Sequence, residues 1–174
     1  ENAFGGHTYD QEDPVYINDL YDLASVTKVA ATTLAVMRLN KEGVISIDNA
    51  LGDYLPWLAG SNKEKMVIRK VMAHQAGLQS WIPFYEKTVS TEDEIWMEMV
   101  PDVYCDIPTS QHSISVAEDM FMDNIYLDSI REQIIHSGLN ADGQYVYSDL
   151  GFIMLAEIIK RETGVTLDHY VDSV

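Results

Sequence analysis

Ser25-Val26-Thr27-Lys28 sets a hydroxyl and an amine three residues apart. On a helix that spacing puts both side chains on one face, within reach of each other. A serine hydroxyl is a weak nucleophile until a base takes its proton. Lysine serves as that base only where burial or nearby positive charge lowers its pKa. At a helix N-terminus the dipole favours negative charge, and the N–H of Ser25 itself could form half of an oxyanion hole. The spacing alone is weak, because twelve serines and seven lysines in 174 residues give roughly half of one such pair by chance. The competing reading makes Ser25 a helix N-cap and Lys28 a surface residue. Placement favours chemistry: the pair lies where extended residues give way to the most apolar helical pattern in the chain.

Tyr147-Ser148-Asp149 is a second candidate. A tyrosine beside a lysine can act as general base or relay, since the positive charge lowers its pKa. Alone, the tripeptide reads as a core aromatic with Asp149 as a helix cap. His74-Gln75-Ala76-Gly77-Leu78 is a third, and reads first as a helix end with a glycine stop and a packing histidine.

The elements that must position these groups are mainly helical. Residues 1–19 are turn and short extended material. The clearest helix runs from Ser25 to Glu42 and stops at Gly43. It is apolar on most sides, which predicts a centrally buried helix. A short extended piece at 44–48 is followed by a helical turn to Leu55 that ends at Pro56. Helices are expected over 67–73, 92–100, 115–122, 125–137 and 147–163, with a last one from Leu167. Residues 80–91 form an aromatic connection and 101–113 a loop. No linker divides the chain, no repeat is present, and there are too few strands for a large sheet.

Composition narrows the function. Hydrophobic residues make up 47% and charged residues 22%, as in an ordinary globular domain. The net charge of −17, with 28 acids against eleven Lys and Arg, argues against nucleic acid as a partner. Between Glu92 and Glu132 only Arg131 is basic, which reads as a solvated acidic face or a docking surface for a basic partner. Cys105 is the only cysteine, so no intramolecular disulfide forms. Its neighbours Asp102 and Asp106 argue against a reactive thiolate. The five histidines show no metal-ligand spacing. No stretch is apolar enough to span a bilayer.

Leu23-Ala24-Ser25-Val26-Thr27-Lys28 resembles the nucleophile motif of the β-lactamase-related serine hydrolases, which include class C β-lactamases, D,D-peptidases and esterases. The helix continuation through Gly43 and Leu51-Gly52-Asp53-Tyr54-Leu55-Pro56 is similar too. His74-Gln75-Ala76-Gly77-Leu78 resembles the family's His-Thr-Ser-Gly-Leu, and Tyr147-Ser148-Asp149 its Tyr-x-Asn. Four landmarks in order are far more specific than one, and the likeness spans nearly the whole chain, weakest over 80–140. It implies a single, partial domain over 1–174, corresponding to the helical region of an α+β fold with short N-terminal strand material. Residues 80–140 would be a family-variable insertion.

The resemblance also implies chemistry. Ser25 would attack an amide or ester carbonyl to form an acyl-enzyme, Lys28 and Tyr147 would share the proton transfers, and Asp149 would contact substrate. No cofactor or metal is implied. The substrate would be a small molecule or peptide-like, and the location periplasmic or extracellular. The pattern is also similar to bacterial chains in which such a domain follows a family 3 glycoside hydrolase, pointing to cell-wall turnover. Three departures stand out. Asp149 replaces Asn, and a carboxylate cannot donate a hydrogen bond to a substrate carbonyl. Ala76 replaces Ser. The third motif, Lys-Thr-Gly or His-x-Gly, does not occur before Val174. The 174 residues are therefore expected to be a fragment, poorly active and prone to self-association. The alternatives are a non-catalytic module that binds cell-wall peptide or a protein partner, and a short structural protein.

Overall fold

The computed structural model describes residues 2–10, 12–93, 96–99 and 103–173. The chain opens with a small paired loop. His7 N–H donates to the Asp13 carbonyl at 2.8 Å and Val15 N–H to the Gly5 carbonyl at 3.1 Å. Gly6 and Pro14 make one isolated antiparallel bridge here, less than the N-terminal strand material expected from the sequence.

Helical winding begins at Val26. It runs through a π-helical stretch, Lys28–Thr33, into helix α1, Leu34–Lys41. Helix α2 is Ile68–Met72, α3 is Asn124–His136, α4 is Asp149–Thr163 and α5 is Leu167–Asp172. The Asp123 side chain caps α3 by accepting from Ile125 N–H at 2.8 Å, which satisfies an otherwise orphaned donor. Gly164, at φ +79°, ends α4 in the left-handed conformation that glycine adopts without penalty.

Helix α4 forms the centre. Leu150, Met154, Leu155, Ile158 and Ile159 have no exposed surface, and α1, α2 and α5 pack around them. Central burial was expected for α1 instead. Only one of its faces is buried: Thr32, Ala35, Val36 and Leu39 point inward, the i, i+3, i+4, i+7 stripe of a half-covered helix. Val26, Val29, Leu34 and Met37 are each more than half exposed. The helices that pack against α1 are α4 and α5, and they leave its other positions uncovered.

Two expected helices are hairpins. Over 92–100, as far as it is described, the backbone forms β1, Val89–Asp93, antiparallel to β2, Trp96–Met99. Over 115–122 it forms β4, Ile114–Ala117, antiparallel to β5, Met120–Met122. A short β3, Tyr104–Cys105, lies on the other edge of β5. Ala117 pairs with Met120, so Glu118-Asp119 is a two-residue loop, and Asp119 takes the positive φ (+48°) that such loops require. Aspartate tolerates that conformation better than most residues. The turn outweighed the weak helical pattern.

The buried core holds one lysine. Lys63 has no exposed surface, and burial lowers its pKa. Its Nζ donates to Asn62 Oδ1 at 2.8 Å, the Ser137 carbonyl at 2.7 Å and the Ile135 carbonyl at 3.3 Å. It thereby ties the 61–65 turn to the C-terminus of α3, where a cation is favoured by the helix dipole. Lys63→Met keeps the aliphatic stem but strands two carbonyls. It should lower the unfolding free energy by about 2 kcal/mol, read as a lower urea midpoint at unchanged slope.

Among the described residues no helix is long and apolar enough to cross a membrane.

Candidate active site

Ser25 follows a tight turn. Ala24 sits at φ +42°, in a region that costs an L-residue about 1–2 kcal/mol. Its N–H is held by Asp22 Oδ1 at 2.8 Å. The next residue, Ser25, is exposed, and the helix starts immediately after it. The π-helical stretch then widens the turn that carries Lys28, and Thr33 Oγ1 donates to the Lys28 carbonyl at 2.7 Å. Such wide turns are uncommon and gather at functional sites.

Tyr147 and Asp149 are held by a second segment. Residues 74–80 run beside 139–149 and are stitched to them along their length. Val146 N–H donates to the His74 carbonyl at 2.9 Å, Gly143 N–H to the Gln75 carbonyl at 3.0 Å, Asn140 N–H to the Gly77 carbonyl at 2.7 Å and Asp149 N–H to the Ser80 carbonyl at 2.8 Å. Ser148 points inward. Its hydroxyl donates to the Gln79 carbonyl at 2.6 Å, and its N–H donates to His74 Nδ1 at 3.0 Å. The flanking residues of an extended tripeptide then turn the other way, toward Lys28.

His74 is therefore a positioning residue. Nδ1 must be unprotonated to accept from Ser148, so the ring is the neutral tautomer with its proton on Nε2. Burial, then the charge of Lys28, holds its pKa below the ordinary value. The ring packs against Tyr147 at 4.5 Å and Phe152 at 5.3 Å between centroids. Phe152 escaped the sequence reading. Its signal was the three-residue spacing from Asp149, which puts both on one face of α4.

Gly77 keeps the two segments in register. It sits at φ +79°, and a Cβ there would lie 2.7 Å from the Asn140 carbonyl oxygen. Both the backbone angle and the space exclude a side chain. Gly77→Ala should destabilise the fold by about 1–2 kcal/mol, seen as a lower melting temperature.

The groups named from the sequence meet at one point. Lys28 Nζ lies 3.1 Å from Ser25 Oγ and 2.7 Å from Asp149 Oδ1. It stands over the Tyr147 ring at 5.2 Å from the centroid and over Phe152 at 5.9 Å. Ser25 foremost, and then Lys28, hold the Tyr147 phenol below the usual tyrosine pKa. The ammonium of Lys28 thus lies between the Ser25 hydroxyl and the Asp149 carboxylate, over the Tyr147 ring.

The electrostatics reverse one expectation. Sequence reasoning required Lys28 to have a lowered pKa. Burial does act in that direction and is the largest single influence, but Asp149 and Tyr147 together outweigh it, and the amine lies above its ordinary value. The cluster thus favours the protonated form of Lys28 and draws the Tyr147 phenol toward its ionised form.

The Beta-lactamase family profile matches residues 1–173. The chain belongs to the β-lactamase family. Among curated β-lactamase-family relatives, an N-acetylmuramyl-L-alanine amidase of Bacillus subtilis is 26% identical over 164 residues, covering 88% of this chain and 30% of the amidase. A putative D-alanyl-D-alanine carboxypeptidase of Salmonella paratyphi A is 24% identical over 162 residues, covering 90% of this chain and 31% of the relative. The chain thus spans about a third of the length of the curated relatives it matches. The solved class C β-lactamase of Rhodobacter sphaeroides superposes with a TM-score of 0.60 at 18% identity, over 98% of this chain and 38% of that one. At that identity the likeness is one of fold, and it places the helices and small sheet described above within the β-lactamase α+β architecture.

Proposed function

We propose that this chain carries the nucleophile, the base and their cation for a serine hydrolase that cleaves an amide or ester through an acyl-enzyme. The observation that carries the proposal is the contact set of Lys28 with Ser25 and Asp149 at 3.1 and 2.7 Å, with the Tyr147 ring 5.2 Å from the same ammonium. Family membership supports the reading.

Ser25 Oγ attacks the carbonyl while its proton passes to the Tyr147 oxygen. Lys28 remains protonated and stabilises the phenolate before transfer and the serine oxygen during it. Tyr147 then gives the proton to the leaving group. In the second half Tyr147 takes a proton from water, which attacks the acyl carbon, and gives it to Ser25 Oγ as the acyl bond breaks. The Ser25 N–H supplies one donor for the developing oxyanion. Residues 1–174 alone are expected to turn over slowly and to self-associate, since the face bearing Val29, Leu34 and Met37 is exposed. The substrate is cell-wall related, and the site of action is periplasmic or extracellular.

A second reading has one observation in its favour. Asp149 stands where an amide would contact the substrate, and its ion pair fixes Lys28, so the cluster could bind a cell-wall peptide without cleaving it. Incubating the full-length protein with a fluorescent penicillin and with a fluorophosphonate, then mapping adducts by mass spectrometry, separates the two. An adduct on Ser25 is expected. A folded protein that takes no label from either probe would be a binding module.

A further inference from the structure

We infer that Asp149 determines specificity at this site, and that it selects acyl groups carrying a protonated amine beside the scissile carbonyl: α-aminoacyl esters or amides with the amine free. The inference rests on the reading of Ser25 as nucleophile and names the substrate class that reading leaves open.

The two oxygens of Asp149 have different surroundings. Oδ1 is buried and lies 2.7 Å from Lys28 Nζ. Yet the side chain as a whole is 47% exposed, so the exposure falls on the other oxygen and the methylene. The backbone cannot swing this carboxylate away, because Asp149 N–H is held by the Ser80 carbonyl and begins α4. An ionised carboxylate only accepts hydrogen bonds. A substrate carbonyl arriving beside Ser25 would therefore meet lone pairs. An ammonium would meet a charge-assisted partner, roughly twice as strong as a neutral one.

Charge balance points the same way. With Tyr147 deprotonated for catalysis, Lys28, Tyr147 and Asp149 together carry one net negative charge. A cationic acyl group neutralises it, whereas a neutral or anionic one leaves it or adds to it. With asparagine at 149 the same cluster would be neutral and would have no use for a cation. The chain's net charge of −17 also steers cations toward its surface rather than anions.

The reaction balances without a further reactant. The Ser25 Oγ–acyl carbon bond forms as the bond from that carbon to the leaving oxygen or nitrogen breaks. The serine proton passes through Tyr147 to the leaving group. Water then adds to the acyl carbon, its proton passing through Tyr147 to Ser25 Oγ as the Oγ–acyl bond breaks, and a free amino acid departs.

The test uses the full-length protein with D- and L-alanine ethyl esters, each with a free amine or N-acetylated, and a fluorophosphonate label at Ser25 run beside them. The free-amine ester of one enantiomer should be preferred in kcat/KM by roughly 10- to 100-fold, the span of one charge-assisted hydrogen bond. The preference should fade as pH rises past about 8, where the α-amine loses its proton. Asp149→Asn should erase or reverse it. The readout is the ratio of the two esters, so a general loss of rate in the variant divides out. Equal turnover of both esters, a preference for the N-acetyl ester, a ratio unchanged in Asp149→Asn, or labelling of Ser25 with turnover of neither ester would each overturn the inference while leaving the nucleophile in place. Absence of any Ser25 label would overturn the underlying reading and this one with it.

Discussion

Ser25→Ala should abolish covalent labelling and lower hydrolysis by the full-length protein on the order of 10⁴- to 10⁶-fold. The size follows from how the cluster is built. Lys28 donates to Ser25 Oγ and Ser25 lowers the pKa of Tyr147, and neither could replace the serine as the proposed nucleophile, an exposed hydroxyl at the start of a helix. Groups that act as one unit are far from additive, because the second loss removes a step already gone. The double variant Ser25→Ala/Tyr147→Phe should therefore be no slower than Ser25→Ala by more than a few-fold. Additive losses in the double variant would mean that Tyr147 acts elsewhere, and would remove it from the proton path. Circular dichroism should be unchanged in Ser25→Ala, since the serine side chain is exposed and the turn before it is set by Ala24 and Asp22.

The legible parts of this protein were those written in local pattern. The helix over Asp149–Thr163 announces itself by apolar spacing and the glycine that ends it. So does the Ser-x-x-Lys pair, whose geometry is internal to one helical turn. What stayed hidden depends on partners distant in sequence. Little near Lys63 predicts a buried amine, because two of its three acceptors lie more than seventy residues away, at Ile135 and Ser137, and only Asn62 is close in sequence. The 114–122 hairpin was lost to a weak helical pattern because its decisive feature is one positive φ at Asp119. The half-exposed α1 was misjudged because amphipathicity reports what a helix could bury, not which neighbours reach it. The pKa of Lys28 failed for the same reason. The sequence shows an apolar helix, which lowers a lysine, but not that Asp149 arrives from 121 positions away to reverse the sign.

That reversal yields the second large effect. Tyr147→Phe should lower acylation by about 10²- to 10⁴-fold, the range for a positioned general base, and should reshape its pH profile. On the proposed mechanism the active form has Tyr147 deprotonated and Lys28 protonated. Tyr147 lies below its ordinary pKa, so the rate should rise with pH on a limb placed below the usual tyrosine range. Lys28 lies above its ordinary pKa, so the falling limb should stand above the usual lysine range. Phenylalanine removes the first limb and leaves a slow rate that does not rise with it. Asparagine at 149 acts on both limbs. The Asp149 charge raises Lys28 and also raises Tyr147 against the lowering by Ser25 and Lys28. Removing that charge should move the rising and falling limbs to lower pH together, bringing the falling limb into measurable range. If Lys28 were instead the base, Asp149→Asn would shift a single rising limb downward, and Tyr147→Phe would leave that limb in place. Profiles of kcat/KM for the three proteins decide between these, because only a tyrosine base and a fixed lysine cation make the rising limb vanish with the phenol.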